Sequence, residues 1–201
     1  MDGVLVNTSS IAKESIFKSH PGLTEEMHED ILSGNFHEGL EKYSYLRKPE
    51  TEEEKKIRQK EYSERKSKAP IFNGIRELLE KFHKLDYVII LNTSALDRNC
   101  MPILENLKIA HLFDFIATGD LSKSKIEKFK LIEDKYNAEK KDILFITDTL
   151  GDVKEADLAD ISTIAVTWGA HSKSFFEREK HSNLIGVVDT IEELSDFIIK
   201  N

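Results

Sequence analysis

From about residue 70 onward, short apolar runs alternate with segments whose apolar residues recur at helical spacing. Ile75, Leu78, Leu79 and Phe82 fall at i, i+3, i+4 and i+7, which predicts a helix with one face against a sheet. Residues 87–91 then read as a buried strand, 96–107 as a helix disturbed at Pro102, and 115–118 as a second strand. Ile126, Phe129, Ile132 and Tyr136 mark another helix. Residues 143–146 are apolar and short enough for a strand buried on both faces. A helix near 153–159, a strand at 163–166 and a closing helix carrying Ile191, Leu194, Phe197 and Ile198 complete the pattern. Repeated strand–helix units predict an α/β fold, a Rossmann-like doubly wound parallel sheet with right-handed crossovers.

Residues 10–68 have a different character. Charge is dense, strand-like runs are absent, and Glu52/Lys56, Glu54/Arg58 and Glu61/Arg65 are acid-before-base pairs at helical spacing. Thr51 and Glu54 make a capping-box pattern. Breaks at Pro21-Gly22, Gly34, Gly39 and Pro49 predict three or four short helices. Ile16, Phe17, Ile31, Leu32, Phe36, Leu40, Tyr43 and Leu46 could give them a small core of their own, making this a candidate second domain.

Composition narrows the function classes. The 201 residues allow one ordinary domain plus a small insert. A net charge of −8 with no basic cluster argues against a nucleic-acid or anionic-membrane surface. No run approaches a membrane span, the first residues do not read as a signal peptide, and Cys100 stands alone, so a cytoplasmic protein is expected. An acidic protein that handles anionic substrates needs a cation to do so.

Polar residues collect where the strands end. Asp148 and Asp152 flank Gly151 after the strand at 143–146, Thr93 and Ser94 follow residue 91, and Lys123 and Lys125 follow the strand at 115–118. Asp2 and Gly3 stand near the start, with no room for a strand before them. In a parallel sheet these groups converge on one edge, where α/β folds bind ligands. Hard oxygen ligands there suggest Mg²⁺, and acid, hydroxyl and ammonium together suit phosphoryl transfer.

Residues 2–8 (DGVLVNT), 88–94 (VIILNTS), 122–125 (SKSK) and 145–152 (FITDTLGD) resemble the four motifs of the haloacid dehalogenase-like hydrolases. Their order and spacing are similar to the phosphoglycolate phosphatase and phosphomutase-like branch, and residues 165–169 (AVTWG) resemble the strand and loop after its fourth motif. The resemblance implies a core of residues 1–8 plus 70–201 and a mobile helical cap at 9–69. It implies Asp2 as acid/base and, through its carbonyl, a Mg²⁺ ligand, with Asp148 and Asp152 as the metal-binding acids. Thr93 matches the phosphate-binding hydroxyl, with Ser94 the fallback. Lys123 matches the phosphate lysine by the six residues to Phe129, and Lys125 is the alternative. The partner implied is a small phosphorylated metabolite, and the activity Mg²⁺-dependent phosphomonoester hydrolysis.

Two departures bear on that expectation. The family nucleophile lies two residues before the acid/base, a place that falls before Met1, and the first central strand that carries it is likewise expected to be missing. A start codon placed too far downstream is favoured over a fragment or a degenerate relative, and the chain as it stands is expected to be inactive or impaired. Thr147 stands where the family commonly has glycine, and should crowd the metal loop slightly. A phosphomutase shares every motif, and a non-catalytic binding or regulatory module is the rival from another class. Direct pairing of the 87–91 and 143–146 strands would refute the expected sheet order.

Overall fold

The computed structural model describes residues 1–200. Residues 1–6 form a tight loop, closed by Asp2–Val6 bridging and by the Leu5 N–H donating to the Met1 carbonyl (2.8 Å). Four helices follow, α1 (Ser9–Ser19), α2 (Glu25–Leu32), α3 (Phe36–Lys42) and α4 (Glu52–Ser67). Each start has a chemical reason where the sequence offers one. Thr24 accepts from the Met27 N–H, Asn35 from His37 and Glu38, and Thr51 and Glu54 complete the expected capping box. Ile16, Leu23 and Ile31 are buried together beneath these helices, with Phe17, Met27, Phe36, Leu40, Tyr43 and Leu46 around them. Gly39 does not break the chain as expected. It lies inside α3, where the lack of a side chain lets the Ile31 backbone pack against it.

The rest alternates as read. In order come α5 (Ile75–Lys84), β1 (Ile90–Asn92), α6 (Asp97–Asn106), β2 (Phe115–Ala117), α7 (Lys125–Tyr136), β3 (Leu144–Thr147), α8 (Leu150–Ala159), β4 (Ser162–Val166), α9 (Lys173–Phe176), β5 (Leu184–Val188) and α10 (Ile191–Lys200). All pairings between named strands are parallel: β1 with β2 in one sheet, and β3–β4–β5 in another. No ladder joins β1 to β3 among the described residues, so the pairing that would have refuted the expected sheet order is not there. One buried cluster nevertheless spans both sheets, combining Met1, Val4, Leu5 and Val6 with Leu91, Ile164 and Val166. Packing of side chains, not a continuous ladder, unites the two.

Two strand expectations need correction. The first strand is Ile90–Asn92, and Tyr87 and Val88 are 44% and 56% exposed, so its approach runs along the surface. Leu144 is 37% exposed, so the third strand is not buried on both faces along its length. Strand β5 was not anticipated; Gly186 interrupts its apolar run, and the Phe197 ring lies over that glycine. Pro102 sits inside α6 without ending it, because the Arg98 carbonyl that loses its helical donor accepts from the Ser63 hydroxyl (3.3 Å).

Ile31 is fully buried in the small helical cluster. Ile31→Ala should cost about 2–5 kcal/mol. Denaturant unfolding followed by hydrogen exchange should place the loosening within residues 9–67, leaving the strands protected.

Candidate active site

Strands β1 and β3 end on the polar residues anticipated from the sequence, and one cavity of about 890 Å³ receives them. Asp2, Thr93, Ser94, Lys123, Lys125, Asp148 and Asp152 all line it, and the opposite wall comes from α1 to α4 and their connections. All the candidate residues are therefore on one side of the molecule.

Two lysines settle most of the charge. Lys125 is 3% exposed, and its Nζ lies 2.9 Å from Asp152 Oδ1 and donates to Ser94 Oγ at 2.9 Å. Lys123, the residue favoured by spacing, is more open to solvent, and its main-chain carbonyl accepts from Asn35 Nδ2 at 3.2 Å. The reason for this shift is local. Ser124 is the N-cap of α7, so Lys125 is its first helical residue, whereas Lys123 precedes the cap. At the other end Lys66, 3% exposed, reaches Asp2 Oδ1 at 2.7 Å, and the Thr8 hydroxyl donates to the same oxygen at 2.5 Å. Burial pushes the Asp2 carboxyl up, but the Lys66 ammonium, the nearby N-terminal charge and these hydrogen bonds outweigh it, leaving it below the usual range.

Asp148 is in the opposite condition. It is 5% exposed, no side-chain cation lies within salt-bridge reach among the described residues, and burial pushes its carboxyl up to about 7. Its carboxylate accepts from the Ala170 N–H, which donates to Oδ2 at 2.8 Å. The chain is shaped around it: Gly3 has φ +68°, and a Cβ there would overlap the Asp148 carboxylate. Asp152 is held by Lys125 and by the Thr147 hydroxyl (2.8 Å). Thr147 therefore orients an acid where crowding was expected. Thr149, not either aspartate, is the N-cap of α8.

Thr93 is buried, its Oγ1 accepts from the Ala95 N–H (3.1 Å), and its carbonyl accepts from Lys128 Nζ at 2.7 Å. His171 stacks on Phe175 at 4.0 Å and accepts from the Leu150 N–H through Nδ1, which leaves Nε2 as the protonated nitrogen. Burial pushes its pKa down to about 4. Trp168 packs on the central cluster and donates to the Val4 carbonyl (3.1 Å), so it is a packing residue.

The model of the haloacid dehalogenase-like hydrolases matches residues 1–166. The chain belongs to that family.

Among curated relatives, a phosphoglycolate phosphatase of Pseudomonas syringae pv. syringae is 25% identical over 137 residues, covering 66% of this chain and 49% of the relative. One from Aliivibrio fischeri is 26% identical over 102 residues, 49% of this chain and 45% of its own. The chain thus spans about half the length of these relatives. Solved structures share the fold over nearly the whole chain. A "predicted phosphatase" from Clostridium acetobutylicum superposes with a TM-score of 0.78 at 20% identity, covering 100% of this chain and 96% of that one. CbbY from Rhodobacter sphaeroides, in complex with phosphate, gives 0.74 at 15%, covering 96% and 93%. The α/β Rossmann-like architecture is therefore that of the haloacid dehalogenase-like hydrolases.

Within that family frame, Thr8, Lys66, Lys128 and Glu155 are residues in and behind the site that sequence reading missed. Thr8 lay inside a quoted motif, whereas Lys66 was one charge among many on a solvated-looking helix. Lys128 is fully buried and burial pushes its ammonium down to about 7. A base depressed in the folded state gains stability as pH rises from about 7 toward its ordinary 10.5. Lys128→Met removes that dependence but strands the Thr93 carbonyl. The melting temperature of the variant relative to the parent should therefore be highest near pH 7 and fall by several degrees toward pH 10, measured by thermal denaturation across that range.

Proposed function

We propose that the site is built for Mg²⁺-assisted hydrolysis of a small phosphomonoester, the activity expected of this fold with its nucleophile in place, with helices α1–α4 acting as a cap over the phosphate site. The observation that carries this reading is the buried Lys125 ammonium held between Asp152 and Ser94, facing the same cavity as Thr93 and as Asp148, which has no cationic side chain in salt-bridge reach among the described residues. An ammonium, a hydroxyl whose own hydrogen has no acceptor among the described residues, and a carboxylate in need of a cation together form a phosphate grip beside a metal position.

No group of three His, Cys, Asp or Glu side chains converges among the described residues, so an all-protein cage is absent there. Mg²⁺ commonly binds through one or two carboxylates and keeps water and phosphate oxygens as its other ligands, which suits the lone Asp148. Asp148 would hold the ion with the Asp2 carbonyl, while Asp152, engaged by Lys125 and Thr147, would support it from behind. When bound, the ion would polarise a phosphoryl oxygen.

The residues of the chain divide the remaining work. Lys125 and Thr93 bind and orient the phosphate; whichever group attacks phosphorus, the charge that develops falls beside them. Asp2, ionised between Lys66 and Thr8, is set to accept a proton from water, and once protonated it can return that proton to the leaving oxygen. The helical wall covers one side of the cavity and, on closing further, would limit the access of bulk water. The partner is a small phosphorylated metabolite; no helix among the described residues is long and apolar enough to cross a membrane.

Calorimetric titration with inorganic phosphate, paired with p-nitrophenyl phosphate turnover with and without Mg²⁺, tests this. Lys125→Met should weaken phosphate binding at least about tenfold, the loss of one charge-assisted contact, while Lys123→Met stays within about threefold. Equal effects at the two lysines would refute the assignment.

A further inference from the structure

The cap meets the sheet domain at one side chain whose hydrogen-bonding capacity is wholly used. Asn35 Oδ1 accepts from the His37 and Glu38 N–H groups at 3.0 and 3.2 Å, which fixes the amide as the N-cap of α3. Its Nδ2 then points across the interface and donates twice, to the Lys123 carbonyl at 3.2 Å and to Glu155 Oε1 at 3.0 Å. Two acceptances and two donations exhaust a carboxamide. Glu155 is 7% exposed, and the same Oε1 accepts from the Lys125 N–H at 3.0 Å. One carboxylate oxygen is therefore shared between a cap residue and the backbone of the lysine that grips the site.

The approach is close beside this contact. Gly151, one helical turn from Glu155 on α8, lies so near Gly34 that a Cβ there would overlap the Gly34 carbonyl. Both partners of Asn35, the Lys123 carbonyl and Glu155, flank the first turn of α7. Movement of residues 34–35 away from the sheet domain would release both together.

We propose that Asn35 and Glu155 form a latch through which closure of the helical segment fixes the first turn of α7, making both of them positioning residues for Lys125. The proposal rests on the reading of Lys125 as a phosphate-binding group. Asn35 is the member of the latch that crosses from the cap, and it carries no charge, so the latch tolerates no acid at that place. An aspartate would still cap α3, since Asp and Asn are equivalent there. Across the interface, however, it would set a carboxylate against Glu155 and against the Lys123 carbonyl.

That asymmetry gives the experiment. Asn35→Asp, Glu155→Gln, the double variant and Lys125→Met are compared with the parent chain, by phosphate titration and by hydrogen exchange of amides 33–38 and 122–127. Asn35→Asp should weaken phosphate binding at least about tenfold and speed exchange in both segments, as like charges placed face to face across an interface demand. In the double variant the like charges no longer face each other, but the amide introduced by Glu155→Gln can serve only one of the two contacts that a single oxygen served in the parent, and the Lys123 carbonyl still faces the carboxylate introduced by Asn35→Asp. Binding and exchange should then recover at least about threefold from the level of Asn35→Asp without reaching the parent, a coupling that a merely structural role would not produce. Parent-like behaviour of Asn35→Asp, or no recovery in the double variant, overturns the latch while leaving the phosphate site standing. If the parent binds no phosphate, or Lys125→Met binds as the parent does, the phosphate reading falls instead. The exchange data then decide the latch alone, for it if loosening is partly reversed in the double variant and against it otherwise.

Discussion

Burying charge is costly unless it is matched, and this molecule withdraws several charged side chains from solvent along one edge of its sheets. Lys66 answers Asp2, and Lys125 answers Asp152. Asp148 and Lys128 are left without a charged side chain in contact, and burial drives both toward neutrality, from opposite directions, to about 7. That imbalance organises the site. In the function proposed above, Asp148, with no cationic side chain beside it, would take a divalent ion, and the Lys125 ammonium, shared between an acid and a hydroxyl, would meet the anion. The loop at Gly3, the Ala170 N–H and the Thr147 hydroxyl are the means by which the chain holds these groups in place.

The same matching governs the join between the helical segment and the sheets. Lys66 comes from α4 and closes on Asp2, while Asn35 precedes α3 and closes on Glu155. Two of the fastenings of the helices therefore end on carboxylates at or beneath the floor of the cavity, while Ser63 of α4 adds another, to the Arg98 carbonyl and to Asn99 of α6.

Much of the architecture was legible because alternating apolar runs and helical spacings are local properties. The parallel pairing follows from them, as does the convergence of Thr93, Asp148 and Asp2 on one edge. What escaped reading was whatever depends on a distant partner or on one-residue register. Asn35 and Glu155 are 120 residues apart, and neither carries a local signal of the other. The Ser-Lys-Ser-Lys run offered two registers of identical chemistry, and only the N-cap role of Ser124 separates them. Strand β5 was hidden by Gly186, whose role shows only once Phe197 is laid over it. Pro102 reads as a disturbance within one helix, and what cannot be read is that Ser63, which has no part in that helix, supplies the donor to the freed Arg98 carbonyl from α4.

Helix α7 carries Lys125, Lys128 and Phe129 within little more than one turn, and Phe129 meets Phe145 edge-on at 5.1 Å. A rigid rod transmits tilt from one end to the other. Substitutions that loosen the aromatic seat are therefore felt as misplacement of an ammonium several ångströms away, and ligand affinity becomes a sensitive gauge of how well this corner of the interior is filled.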